Sequence, residues 1–268
     1  MKLSNTIKLF SCLLFFSLLT ISCGDDPASA NEDPPALPSF ENVTADVSFF
    51  EQNSSEVNSE SNFSAAYNHA IGLSSVSFIS GIYLGFFNPA DQSEADFKNG
   101  KWVWEYTYSD GSESVMITLI AEEVGSNMVW EMNWSYDDGA GNSFEDYTMV
   151  QGMVALDGSS GSWTFNDMDP ETNTETPYLI TTWERSSETN YESTTEIYDG
   201  SGGVDTYTFT QNGEVFDVSY TSSDQQTNIY VHWETDVQTG YYQIGDDQGS
   251  RYCWDATFQN VTCSDVGY

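Results

Sequence analysis

From Lys101 to the C-terminus, large apolar and polar residues alternate with a period of two. That is the signature of strands with one buried face. Trp102, Trp104, Tyr106 and Tyr108 alternate up to the Asp110-Gly111 turn. Val115, Ile117, Leu119 and Ala121 follow, and after Gly125 come Met128, Trp130, Met132, Trp134 and Tyr136. The pattern next predicts a strand over 144–156, bulged at Gly152, then one around Trp163 and Phe165. A long polar loop spans 166–177. Further strands fall at 178–185, 191–198, 204–210, 214–220, 229–235, 240–244 and 252–258. Asn212-Gly213 predicts a two-residue type I′ hairpin. The total is about ten to twelve strands joined by short turns, which implies pairing between neighbours. A long meander has to hide its two edges, so the expected architecture is all-β, an antiparallel barrel; a two-sheet sandwich is the alternative.

The segments upstream read differently. Over 63–98 an N-terminal helix is expected from Ala65-Ala66-Tyr67 onward, with Asn62 or Ser64 as its cap. Ser77, Gly81 and Gly85 would share one close-packing face, and Asn88-Pro89 would end it. Residues 23–62 are rich in Ser, Asn, Asp, Glu and Pro and read as a flexible tether, with Phe49-Phe50 as a sticky spot. Residues 1–22 carry Lys2 and Lys8 before an apolar run from Leu9 to Ile21, too short to span a bilayer with ease. The end of that run, Leu19-Thr20-Ile21-Ser22-Cys23-Gly24, resembles the bacterial lipobox. The resemblance implies removal of 1–22, acylation of Cys23 with diacylglycerol and palmitate, and anchorage of the chain to a lipid bilayer of the cell envelope. Gly24-Asp25-Asp26 resembles the acidic tag of surface-exposed outer-membrane lipoproteins. The expected layout is therefore a signal peptide (1–22), a tether (23–62), a helix with its linker (63–98) and a β-barrel domain (99–268).

Charge narrows the range of partners. After Cys23 the only cations are Lys98, Lys101, Arg185 and Arg251, against 42 acids, a net charge of −38. Such a field repels nucleic acid, anionic lipid headgroups and phosphorylated substrates, so no nucleic-acid partner is expected. Eight Trp, 16 Tyr and 16 Phe supply large side chains for a core despite that charge. With Cys12 in the signal and Cys23 acylated, Cys253 and Cys263 remain, and in an oxidising compartment they pair with each other.

Candidate chemistry is sparse. Asn99-Gly100-Lys101-Trp102 resembles the Gly-x-Trp of the first strand of lipocalin-like barrels. That resemblance implies that Trp102 plugs one barrel end beneath Arg251. Trp104, Met128, Trp130, Met132, Trp134, Trp183 and Trp233 would line the lumen, where polarizable thioethers and indoles suit a small apolar ligand. Ordinary core packing accounts for the same pattern. A Trp-Glu pair recurs at 104–105, 130–131, 183–184 and 233–234, as period two dictates for Trp inside and Glu outside. Trp102/Trp104 or Tyr241/Tyr242, if outward, would instead stack on sugars in a surface carbohydrate-binding module; a structural or interaction module is a further reading. No nucleophile elbow or phosphate loop is present, His232 is expected to be structural, and neither catalytic residue, cofactor nor metal site is assigned. The acidic stretches Asp137-Asp138 and Asn166-Asp167-Met168-Asp169 lack calcium-loop spacing.

Overall fold

The computed structural model describes residues 33–38, 44–57, 61–84, 87, 90, 94–169, 174–223, 228–245 and 250–268. The signal segment, Cys23, Gly85 and Asn88-Pro89 lie outside them. All described residues fall in one compact unit, Asp33–Tyr268. Fourteen strands form a single antiparallel sheet in strict sequence order. They are β1 (Asp96–Lys98), β2 (Lys101–Asp110), β3 (Glu113–Val124), β4 (Asn127–Asp137), β5 (Ser143–Ala155), β6 (Ser160–Asp169) and β7 (Thr174–Ser187). Then come β8 (Asn190–Tyr198), β9 (Val204–Asn212), β10 (Val215–Thr221), β11 (Asn228–Glu234), β12 (Thr239–Ile244), β13 (Arg251–Trp254) and β14 (Asn260–Val261). Helix α1 (Ser48–Gln52) and helix α2 (Asn62–Leu84) precede the sheet.

The meander and its hairpin order match the sequence pattern; the closed barrel does not. The sheet is open, with β1 at one end and β14 at the other. Closure of so many strands would leave a lumen too wide for side chains to fill. Here α2 packs against β10 to β13, burying Phe63, Ala66 and Ala70 on one stripe. The two edges are blunted by their length, three residues in β1 and two in β14. Neither short strand was legible in the alternation. The loop expected over 166–177 is mostly strand: β6 runs to Asp169 and β7 starts at Thr174, around a bulge at Phe165/Asn166.

Glycine opposite tryptophan is the recurring device of the inner face. Gly152 pairs with Trp163, Gly161 with Trp183, and Gly240 with Trp254. A Cβ on these glycines would lie 2.1 Å, 2.3 Å and 2.4 Å from the facing indole. Gly152 therefore marks a seat for Trp163 and not a bulge. The register shifts of β5 lie further along, at Met132/Asn133 and Trp134/Tyr136, with Asp146 at a φ of 50°. At Asn212-Gly213 the pairing of Asn212 with Val215 leaves Gly213-Glu214 as the loop, and of these two only Gly213 has positive φ. That is the type II′ pattern rather than I′.

Residues 45–50 are not a free tether. Ala45, Val47, Phe49 and Phe50 are buried, and Phe50 meets Trp233 at 5.0 Å and Phe63 at 5.6 Å between ring centroids. Ser61 caps α2, accepting the Ser64 N–H at 3.0 Å, in place of Asn62 or Ser64. Asn62 reaches across to the last hairpin, donating to the Cys253 carbonyl at 2.8 Å and, from its backbone N–H, to Asn260 Oδ1 at 2.6 Å. Side chains beyond Val76 in α2 are not described, so the Ser77/Gly81 face has no contacts to report.

One turn design is used three times. Asp138, Asp199 and Asp255 each accept N–H groups two and four residues on, while their own N–H bonds the carbonyl four residues on. The next-to-last position is left-handed: Gly141, Gly202 and, in the third copy, Phe258 at φ 60°. That conformation costs a bulky L-residue about 1–2 kcal/mol. Burial of the Phe258 ring against Phe63, 4.6 Å away, offsets it with about 1.5–3 kcal/mol. The Cys253–Cys263 disulfide, with Cα atoms 5.2 Å apart, encloses this turn.

Two predictions follow from these elements. Reduction of Cys253–Cys263 frees a short loop in the unfolded chain and is expected to cost about 2–3 kcal/mol; equal denaturant midpoints with and without reductant would show the bond to be idle. The Asn142 amide holds Asp138 below the usual carboxylate range, as the Ser201 N–H does Asp199 and the Thr257 hydroxyl Asp255. A carboxyl lowered in the folded state adds stability that is complete above its unfolded value, 3.8, and lost as pH falls through the lower folded value. Melting temperature should therefore drop steeply below about pH 4. The drop should be shallower in an Asp138→Asn, Asp199→Asn, Asp255→Asn variant; an unchanged acid limb would refute the assignment.

Candidate functional site

The residues expected to line a lumen do share one face. Trp104, Met128, Trp130, Met132, Trp134, Trp183 and Trp233 are all buried, none more than 7% exposed. They pack on one another and on neighbouring aromatic rings. Phe87 packs edge-on against Trp130 and Trp163, Trp104 stacks on Trp130, and Phe216 stacks on Trp233 at 5.3 Å. Two open clefts, of about 480 and 420 Å³, lie elsewhere, beside Ala45–Ser48 and beside the disulfide. An open sheet supplies no closed barrel for these residues to line.

The plug expected from Trp102 and Arg251 does not form. Trp102 on β2 packs on Phe97 at 4.8 Å, whereas Arg251 lies on β13 and sits over Tyr241 at 4.3 Å. The strand order separates β2 and β13 by ten strands, and an open sheet never brings them back together. The sugar platforms proposed from the sequence also change. Trp102 and Trp104 both point inward, and Tyr241 and Tyr242, being consecutive in a strand, face opposite sides.

What remains accessible is the outer face of β6 to β13, assembled by register. One row runs Ser162, Thr182, Thr194, Thr208, Ser219, Tyr230, Gln243 and Arg251, each paired with the next. Its first five members carry short hydroxyl side chains, none of which has a hydrogen-bond partner among the described residues. A parallel row runs Glu184, Glu192, Thr210, Asp217, His232 and Tyr241. On the other flank lie Glu196, Thr206 and Thr221. A neutral hydroxyl strip is thus bordered by carboxylates.

The β10–β13 end of this face is densely cross-bonded. His232 Nδ1 lies 2.7 Å from Asp217 Oδ1, and its Nε2 lies 3.6 Å from Glu234 Oε1. Its ring stacks on Tyr241 at 5.0 Å and meets the edge of Tyr268 at 5.1 Å. Tyr268 donates to Glu234 at 2.8 Å and contacts the Thr239 hydroxyl at 3.1 Å. Burial pushes the phenols of Tyr241 and Tyr268 above their usual range, so both remain donors at neutral pH. Arg251 donates through Nε to Gln243 Oε1 at 3.3 Å, and buried Gln243 is itself held by the Gly245 carbonyl. Among the described residues no serine, threonine or cysteine side chain bonds His232. Nor does any group of three or more His, Cys, Asp or Glu side chains there form a cation cage.

Sequence alternation hinted at this face through Thr206-x-Thr208-x-Thr210 and Glu192-x-Thr194-x-Glu196, but only register joins five strands into one row. No family model, no curated protein and no solved structure matches the chain.

Proposed function

We propose that this chain is a lipid-anchored, non-enzymatic module of the bacterial cell envelope that binds glycan on the outer face of its sheet. The anchor rests on the lipobox-like Leu19-Thr20-Ile21-Ser22-Cys23 and the acidic residues behind it. The binding reading rests on one observation above all: the outer strip of unbonded hydroxyls, bordered by Glu184, Glu192, Asp217 and Glu196. Hydroxyl and carboxylate groups together accept and donate to sugar hydroxyls, and bonds to ionised carboxylates are the stronger kind. The chain's acidity disfavours polyanions in the same position. The paired, mutually satisfied groups around His232 support a holding role for that end of the face rather than turnover.

Two measurements test this reading. Palmitate labelling of the full chain expressed in a bacterial host should disappear in Cys23→Ser, with the protein leaving the membrane fraction; a labelled variant would overturn the anchor. The full chain purified in detergent should retain neutral glycans on a glycan array. A blank array would overturn glycan binding on the sheet.

A further inference from the structure

The hydroxyl row sets what kind of glycan fits, granted that the face binds glycan at all. Ser162, Thr182, Thr194, Thr208 and Ser219 lie on five consecutive strands, β6 to β10. Adjacent strands are roughly 4.8 Å apart, so the five hydroxyls span roughly 19 Å. A pyranose ring linked through opposite sides repeats at close to one strand spacing. Among these five no side chain is larger than threonine, so nothing rises between the hydroxyls to interrupt a chain laid across the strands. Next to the five, paired with Ser219, comes Tyr230, partly exposed and with no aromatic-ring or hydrogen-bond contact among the described residues. Beyond it, Gln243 and Arg251 are already held in place.

We infer that this row is a linear track for an uncharged, extended polysaccharide, one sugar per strand from β6 to β10, with a terminal sugar stacked on Tyr230. Charge selects the neutral chain: Glu184, Glu192 and Asp217 on one side and Glu196 on the other repel uronates and sulfates while accepting bonds from sugar hydroxyls. An open face selects length. A single sugar there stays largely hydrated and gains little, so affinity accumulates only as successive rings engage successive strands.

Isothermal titration of the detergent-purified full chain tests the track. The probes are linear neutral β-linked gluco-, xylo- and manno-oligosaccharides of two to eight units, with alginate oligosaccharides as the acidic control. Affinity for the neutral series is expected to rise with length and level off near about six units, the five hydroxyl positions plus Tyr230, with alginate unbound. Thr194→Val with Thr208→Val keeps shape and strand preference while deleting two hydroxyls, and should lower affinity about tenfold or more at unchanged melting temperature. Tyr230→Ala should remove the gain from the last unit. Wild-type binding that the double valine variant retains, that does not depend on length, or that extends to alginate would overturn the track and leave glycan binding standing. Binding of no oligosaccharide together with a blank glycan array would overturn both.

Discussion

A sheet of fourteen strands has an inner face too broad for its own side chains to fill, and the structure is organised around filling it. Helix α2 supplies one part of the filling and the tryptophans the other. Each of Trp163, Trp183 and Trp254 lies over a cross-strand glycine, which lets an indole sink to the level of the backbone. A side chain at Gly152, Gly161 or Gly240 would push the indole off the sheet. The same filling keeps the sheet open. Apolar side chains that would have needed a facing wall of strands find Phe50, Phe63 and Phe87 instead.

The C-terminal strands carry a second responsibility. Phe258, Phe63 and Phe49 form one aromatic group that joins the start of the described chain to its end. The disulfide, the Asp255 turn and the Asn62 bonds all converge there. Phe258 adopts a backbone conformation that its sister turns give to glycine, because the buried ring is worth more than the strain. The same strands hold His232, Tyr241 and Tyr268 on their outer side, so one element rigidifies both faces.

The cations show how such an acidic chain manages its few positive groups. Lys98 and Lys101 pair with Asp96 and Glu122 in exposed contacts that contribute little. Arg185 and Arg251 instead lie over the rings of Tyr191 and Tyr241. At both arginines the planar guanidinium covers an aromatic face, that of Tyr191 in the core and that of Tyr241 on the outer side of the sheet, an apolar use of a charged side chain.

Local pattern determined the strands. Alternation and glycine turns marked the twelve strands from β2 to β13, although the last stops at Trp254 where the pattern ran on to Phe258, together with their consecutive pairing, the inward tryptophans and methionines and the cysteine pair, because each depends on neighbours within a hairpin. Tertiary structure decided the rest. Whether the meander closes depends on what occupies its inner face, and residues 45–50 and α2 declare that only by packing. Trp102 and Arg251 could be matched by chain position but not by distance, since an open sheet keeps its ends apart. The hydroxyl row is likewise invisible along the chain. Its members lie on five different strands, and a shift of one residue in any pairing would turn that strand's hydroxyl inward.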